Sequence, residues 1–339
     1  MGKDKRDKRD KKDNKDNKDN KDNNKKQTLI FQDVIQEQQD DEDLSLAFFE
    51  LANVPIVGYR LAEKQQRRKA SKSSSTTTTT TTTTTTITVQ QDTNACGNHT
   101  GGIVWETSYL LLNYLLSQQQ KLGRVLEVGA GCGLLGQVLA ASGWCKQVVL
   151  TETEQVLVNL EANLERNNNN NNNNDLSKKK KKKNKSTTAQ KLDWRHCKED
   201  AIEELQKHSF DTIVGTDVVF TPALVEPLLR TLQFMAAAAH NDNTTTTVYL
   251  CLQIRCEDSH QKLWNKASTF GWHLQNISHE LETIPDCQWG LAMECHLLKL
   301  TRLVVGGGGE SDNKSKKRKT NVVVVEEGHS KRTTKKAKK

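Results

Sequence analysis

From Gly101 onward the chain alternates short apolar runs with stretches whose apolar positions recur every three or four residues. That rhythm predicts buried parallel strands separated by helices on both faces of one sheet. Trp105, Tyr109, Leu112 and Leu116 fall at helical spacing, which predicts a helix stopped by Gly123. Strands are expected at Arg124–Val128, Gln147–Leu150, Lys191–Trp194, Phe210–Gly215 and Val248–Ile254. Helical patterns lie between them at Leu134–Ser142, around Val156, Leu160 and Leu164, and at Ala201–His208, Leu224–Ala238 and Asp258–Phe270. Two late strands, Trp272–Ser278 and Cys295–Leu303, have no helical pattern between them, which predicts an antiparallel hairpin at the sheet edge. Upstream, Ala47–Leu61 and Ile87–Gln91 read as two more strands joined by a loop swollen with Thr. The expected fold class is α/β: a Rossmann-like, seven-stranded, mostly parallel sheet with helices on both faces and an N-terminal β extension.

Composition narrows where that fold lies. Four tracts of the 339 residues are of low complexity: 1–26, 63–94 with eleven consecutive Thr, 167–188 with eight Asn and a Lys block, and 306–339. The remaining 225 residues suffice for one domain with a sizeable core. The expected division is a charged tail over 1–45, a β extension over 46–100, a main domain over 101–304 interrupted at 167–188, and a basic tail over 305–339.

Net charge changes its meaning when it is divided along the chain. Residues 1–26, 175–185 and 309–339 carry +5, +6 and +7, so against a total of +8 the remainder carries −10. An acidic folded part repels phosphate, so no nucleic-acid partner is expected for it, and it suits a cationic partner. The eight Cys include no C-x-x-C pair and no zinc-like spacing with His, so no metal is expected. Without an apolar stretch of about 18 residues or a signal-peptide-like apolar core, no membrane partner is expected either. The expectation is a monomer of a reducing compartment, cytoplasmic. The runs KSKKRK at 314–319 and KRTTKKAKK at the end leave nuclear entry open beside plain solvated tails.

The sharpest motif is VLEVGAGCGLLG at 125–136. Gly131, Gly133 and Gly136 satisfy G-x-G-x-x-G between a strand and a helix, which would suit a dinucleotide pyrophosphate with Glu152 on the ribose. A second reading uses Gly129 and Gly131, with Glu127 facing a positive group such as the amino and sulfonium centres of S-adenosylmethionine. A tight turn without a ligand is the third. Glu127 beside a pyrophosphate would be electrostatically wrong, none of the four tyrosines has Lys four residues on, and the late hairpin suits a methyltransferase sheet. These features favour the second.

On these residues the chain resembles the seven-strand methyltransferases that use S-adenosylmethionine. Within that class it is similar to the family-16 protein-lysine methyltransferases, the group that includes the enzyme acting on the valosin-containing ATPase. The likeness spans about 46–304 and is strongest over 101–231. The resemblance implies a cofactor site from Trp105 in GGIVWE, from Glu127, Gly129, Ala130 and Gly131 with Gly133 closing the turn, and from Glu152 of Thr151-Glu152. It further implies that Trp194 of Leu192-Asp193-Trp194 borders the adenine, with Asp193 either accepting the adenine amino group or solvated. In Thr216-Asp217-Val218-Val219-Phe220, it implies that Thr216 lines the cofactor, that Asp217 stands beside the substrate amine, and that Phe220 replaces the usual tyrosine. For Asp217 the competing reading is a helix N-cap ahead of Pro222. For Trp105 it is the first core residue of its helix.

Acceptor chemistry follows from what is missing. The four prolines, 55, 222, 227 and 285, are never adjacent, so the D-P-P-Y or N-P-P-Y of enzymes methylating base or glutamine amino groups is absent. No Pro-Cys dipeptide of cytosine methylation occurs. The implied partner is a protein presenting a lysine. A small-molecule or nucleic-acid acceptor, or an inactive cofactor-fold interaction module, remains open.

Overall fold

The computed structural model describes residues 28–36, 41–62, 84–93, 100–173, 187–200, 205, 209–237 and 245–303. The helix expected at Ala201–His208 lies outside them except for Leu205, as do both basic tails. Seven strands form the main sheet: β4 (Gly123–Val128), β5 (Cys145–Glu152), β6 (Thr187–Lys191), β7 (Thr212–Thr216), β8 (Thr247–Gln253), β9 (Trp272–Asn276) and β10 (Cys295–Arg302). Their order is β6-β5-β4-β7-β8-β10-β9. Only β10 opposes its neighbours, pairing antiparallel with both β8 and β9. The expected seven-stranded, mostly parallel, Rossmann-like sheet is therefore present, and its edge is the late hairpin.

Alternation along each strand divides the core into two layers. Val125, Val148, Leu150 and Val214 face one buried cluster, while Leu126, Val128, Val149 and Ile213 face the other. Helices cover both. On the first side lie α3 (Glu106–Ser117), α4 (Leu134–Ala141) and α5 (Glu154–Asn173), and on the second α6 (Pro222–Ala237) and α7 (Glu257–Ala267). Each fully buried Leu on these faces stabilises the fold by about 1.5–3 kcal/mol through area removed from water.

The N-terminal extension is a second, three-stranded sheet of β1 (Thr28–Ile30), β2 (Ile56–Ala62) and β3 (Thr84–Gln90), with α1 (Phe31–Gln36) and α2 (Asp41–Asn53) beside it. Two expectations are corrected here. Ala47–Leu61 is not one strand, because Leu44, Ala47, Phe48 and Leu51 bury one helical face and Pro55 ends the helical conformation before β2 begins. Nor does the tail reach residue 45. Phe31 stacks on Tyr109 at 4.3 Å and Phe48 lies 4.8 Å from Trp289, so an aromatic cluster joins this segment to α3 and the short helix Trp289–Ala292.

Two further boundaries move. The third main-sheet strand is Thr187–Lys191, not Lys191–Trp194, because Asp193 accepts from Arg195 N and caps a 3₁₀ turn over Trp194–His196. The Asn tract, expected to be an insertion from 167, begins as the last two turns of α5. Asn167 is buried there and donates to Thr88 O at 2.9 Å and Gln137 Oε1 at 2.8 Å.

Candidate active site

At the carboxyl edge of β4, β5 and β7 the chain turns outward at each strand end and leaves a cleft of about 520 Å³. This edge is where open α/β sheets bind ligands, and the volume lies in the range of small-molecule sites. Trp105, Gly129, Ala130, Gly131, Glu152 and Asp193 line it together with Trp194, Thr216, Asp217 and Phe220. Ten of the twelve expected site residues are thus brought to one cavity.

The glycine loop shapes its floor. Gly129 and Gly131 have φ of +66° and +55°, a left-handed conformation in which a side chain is strained. A Cβ on Gly129 would lie 3.0 Å from Val218 Cγ1 and 3.3 Å from Trp194 Cζ2, so it would fill the cradle between loop and indole. Gly133, at φ +81°, is the residue before α4 and packs under Leu160, outside the cleft.

Glu127 is the other exception, and its assignment is corrected. It faces α4 rather than the cleft, fully buried, and accepts a hydrogen bond from Gly136 N at 2.9 Å. A Cβ on Gly136 would collide with that carboxylate, which accounts for the third glycine of G-x-G-x-x-G without any pyrophosphate. Burial pushes the Glu127 carboxyl up to about 8, opposed by the Gly136 N–H and reinforced by the charge of Glu152.

Glu152 ends β5 with its carboxylate at the cleft. Oε1 accepts from Gly131 N at 3.0 Å and Oε2 from Thr153 N at 2.7 Å, which ties the acid to the glycine loop. Asp193 is held otherwise: Oδ1 accepts from Arg195 Nε at 3.0 Å and Oδ2 from Arg195 Nη2 at 2.6 Å. That pairing with Arg195 holds its carboxyl below the usual range. Trp105 precedes α3 in an extended conformation, donates from Nε1 to Thr100 O at 3.1 Å and lines the cleft, so it is not a core residue of the helix.

Thr216 ends β7 and Asp217 follows it. Thr216 Oγ1 shares a hydrogen bond of 2.9 Å with Ser108 Oγ of α3. Asp217 has φ +50° and its side chain is only 5% exposed. It does not cap α6: Oδ1 accepts from Gln253 N at 2.8 Å and Oδ2 pairs with Arg255 Nη2 at 3.0 Å. Burial raises the Asp217 carboxyl, with Arg255 working against it. Phe220 stands at the rim, 37% exposed. Sequence reasoning passed over Arg255 and Glu106, which meet at 2.6 Å beside Asp217. Their separation of 149 residues leaves no local signal.

A seven-stranded sheet in this order, with its glycine loop after β4, Glu152 ending β5 and Asp193 and Asp217 just beyond β6 and β7, defines the seven-strand methyltransferase class. The family model described as lysine methyltransferase matches residues 82–269, more than half of the chain, and the chain belongs to that family. It is 27% identical over 173 residues to the protein N-lysine methyltransferase METTL21A of Danio rerio, covering 50% of this chain and 68% of that protein. To the calmodulin-lysine N-methyltransferase of Arabidopsis thaliana it is 28% identical over 137 residues, 40% of each chain. Among solved structures, the methyltransferase domain of bacterial CtHen1 matches at a TM-score of 0.38 and 13% identity, over 58% of this chain and 98% of that one. Among the described residues, no group of three or more His, Cys, Asp or Glu could hold a metal ion, and no helix is long and apolar enough to cross a membrane.

Proposed function

We propose that the protein transfers methyl groups from S-adenosylmethionine to the lysine side chain of a protein substrate. The observation that carries this reading is one continuous cleft with the glycine cradle and Glu152 along it and Asp217 and Phe220 in its wall. The cradle at Gly129, where a Cβ would meet Trp194, suits a flat adenosyl group, and the Glu152 carboxylate suits ribose hydroxyls. When bound, the cofactor supplies a methyl group activated on a sulfonium.

The chain's own residues supply position. Gly129, Ala130 and Gly131 would let the backbone approach the cofactor closely, Leu192 and Trp194 would border its adenine, and Trp105 and Thr216 would hold the rest of it in the cleft. Phe220 gives a lysine stem an apolar wall. A lysine of pKa about 10.4 must lose its proton before it attacks, so Asp217 orients the amine and solvent takes the proton. The −10 charge outside the basic tracts favours a cationic protein segment as partner. The valosin-containing ATPase, target of one member of the group this chain resembles, and calmodulin, named for the Arabidopsis relative, are the first substrates to try. We place the activity in the cytoplasm, with nuclear entry through the basic runs.

The test is incubation of wild type and Asp217→Asn with radiolabelled S-adenosylmethionine and a soluble lysate, read by gel autoradiography. A discrete band that resists nuclease and vanishes with the variant supports the reading. Cofactor binding by calorimetry without any labelled protein overturns it.

A further inference from the structure

Arg255 lies in the short connection between β8 and α7, at the same sheet edge as the cleft. It does not line the cleft, yet it touches two residues that do, Trp105 and Asp217, and Glu106 beside them. Its Nη2 donates to Glu106 Oε1 at 2.6 Å and to Asp217 Oδ2 at 3.0 Å, and its guanidinium carbon sits 4.5 Å from the centre of the Trp105 ring. The side chains of Glu106 and Asp217 are 11% and 5% exposed, so their charges are poorly screened by water.

The titratable groups facing Asp217 come from four places: Glu106 on α3, Arg255 after β8, Cys251 on β8 and Cys295 on β10. Burial drives both thiols upward, so they are neutral near pH 7. The local field is then two carboxylates against one guanidinium, a net charge of −1. Two carboxylates without the arginine would fix an incoming lysine as its ammonium, which has no lone pair to attack with. No negative charge would leave nothing to capture it.

Resting on the lysine reading above, we propose that Arg255 is a positioning residue that cancels one of the two carboxylate charges at the acceptor end, so that the site captures a lysine ammonium and still lets it deprotonate. Through Trp105 and Asp217 it also holds the two sides of the acceptor end together. The ammonium releases one proton to water, and the amine lone pair forms the N–C bond as the sulfonium S–C bond breaks and its electron pair stays on sulfur. Both charged contacts come from one nitrogen, so a lysine ammonium at position 255 can reproduce the charge.

The experiment compares wild type, Arg255→Gln and Arg255→Lys as full chains, using radiolabelled S-adenosylmethionine and soluble lysate protein between pH 6.5 and 9.5. For Arg255→Gln the expected result is a rate profile displaced to alkaline pH by about one unit, a loss of about tenfold near pH 7 and recovery at high pH. Arg255→Lys should restore most of the wild-type profile. A second readout needs no turnover. Loss of the cation raises the folded Asp217 carboxyl further above its unfolded value, so the Tm deficit of Arg255→Gln should widen as pH rises above the ordinary carboxylate range until Asp217 ionises, the form in which both carboxylates act on the lysine. An equal loss of rate at every pH, a Tm difference independent of pH, or no rescue by Lys overturns the inference. A wild type that labels no protein at any pH overturns the lysine reading, and this inference with it.

Discussion

Glu127 and Gly136 meet beneath the glycine loop, the carboxylate of one accepting the backbone N–H of the other at 2.9 Å inside a fully buried contact. Burial pushes the carboxyl up to about 8, against an ordinary value of 4.5. A raised folded pKa means that the folded state keeps a proton which the unfolded state has already lost, so stability falls as pH rises between those two values. At about 1.36 kcal/mol per unit, the fall amounts to several kcal/mol. Glu127→Gln removes the titration: the variant should lose much less stability than wild type between pH 5 and 8 in urea unfolding. Parallel curves for the two proteins would show that Glu127 is ionised throughout.

The loop itself gives a test of the cradle. Gly129→Ala combines about 1–2 kcal/mol of left-handed backbone strain with a Cβ 3.0 Å from Val218 Cγ1 and 3.3 Å from Trp194 Cζ2. Its Kd for S-adenosylhomocysteine by calorimetry should rise about tenfold or more. Gly143→Ala is the control, since Gly143 has φ +75° and nothing within 4 Å of its would-be Cβ. It should share the strain and leave the Kd unchanged. Equal effects at both positions would detach the cradle from the ligand.

Asn163 ties the extension to the glycine loop. It is fully buried, accepts from Gln90 N at 2.8 Å, and donates to Gln90 O at 3.0 Å and Cys132 O at 3.1 Å. Asn163→Ala removes the partner of Gln90 N and of the buried Cys132 O, while Gln90 O keeps Asn159 Nδ2 at 3.2 Å, so stability should fall by about 1–3 kcal/mol. The measurement is the urea midpoint at constant m. A change under 0.5 kcal/mol would mean that water replaces the side chain without penalty.

What the sequence discloses tracks how each element is stabilised. Central strands such as Val125–Val128, apolar except for the buried Glu127, and Val248–Leu252 stand out as short runs dominated by apolar residues. The edge strand Thr187–Lys191 is half-buried along its whole length and reads TTAQK, so its position slipped to the next apolar residue, Leu192. Likewise α2 and β2 share one apolar stretch, and only Pro55 marks the change between them. Within the site, the glycines and chain-end acids are local signals. Glu127 was misplaced because charge complementarity with a cation looked sufficient, whereas the partner is a backbone N–H nine residues on. Arg255 is invisible because its partners are 38 and 149 residues away.

Asp217 offers the last prediction, and its backbone decides the substitution. At φ +50° an alanine would add strain to the loss of the carboxylate, whereas asparagine tolerates this conformation and keeps an oxygen for Gln253 N. Asp217→Asn therefore isolates the charge. Its Kd for S-adenosylhomocysteine should stay within about threefold of wild type, while protein labelling falls about 100-fold, because orientation of the acceptor is lost and not the cofactor cradle. The variant also leaves Arg255 with Glu106 alone, so the local net charge becomes zero and the Michaelis constant for a lysine-bearing substrate should rise. Undiminished labelling by Asp217→Asn would remove Asp217 from the acceptor end and leave it a structural partner of Arg255.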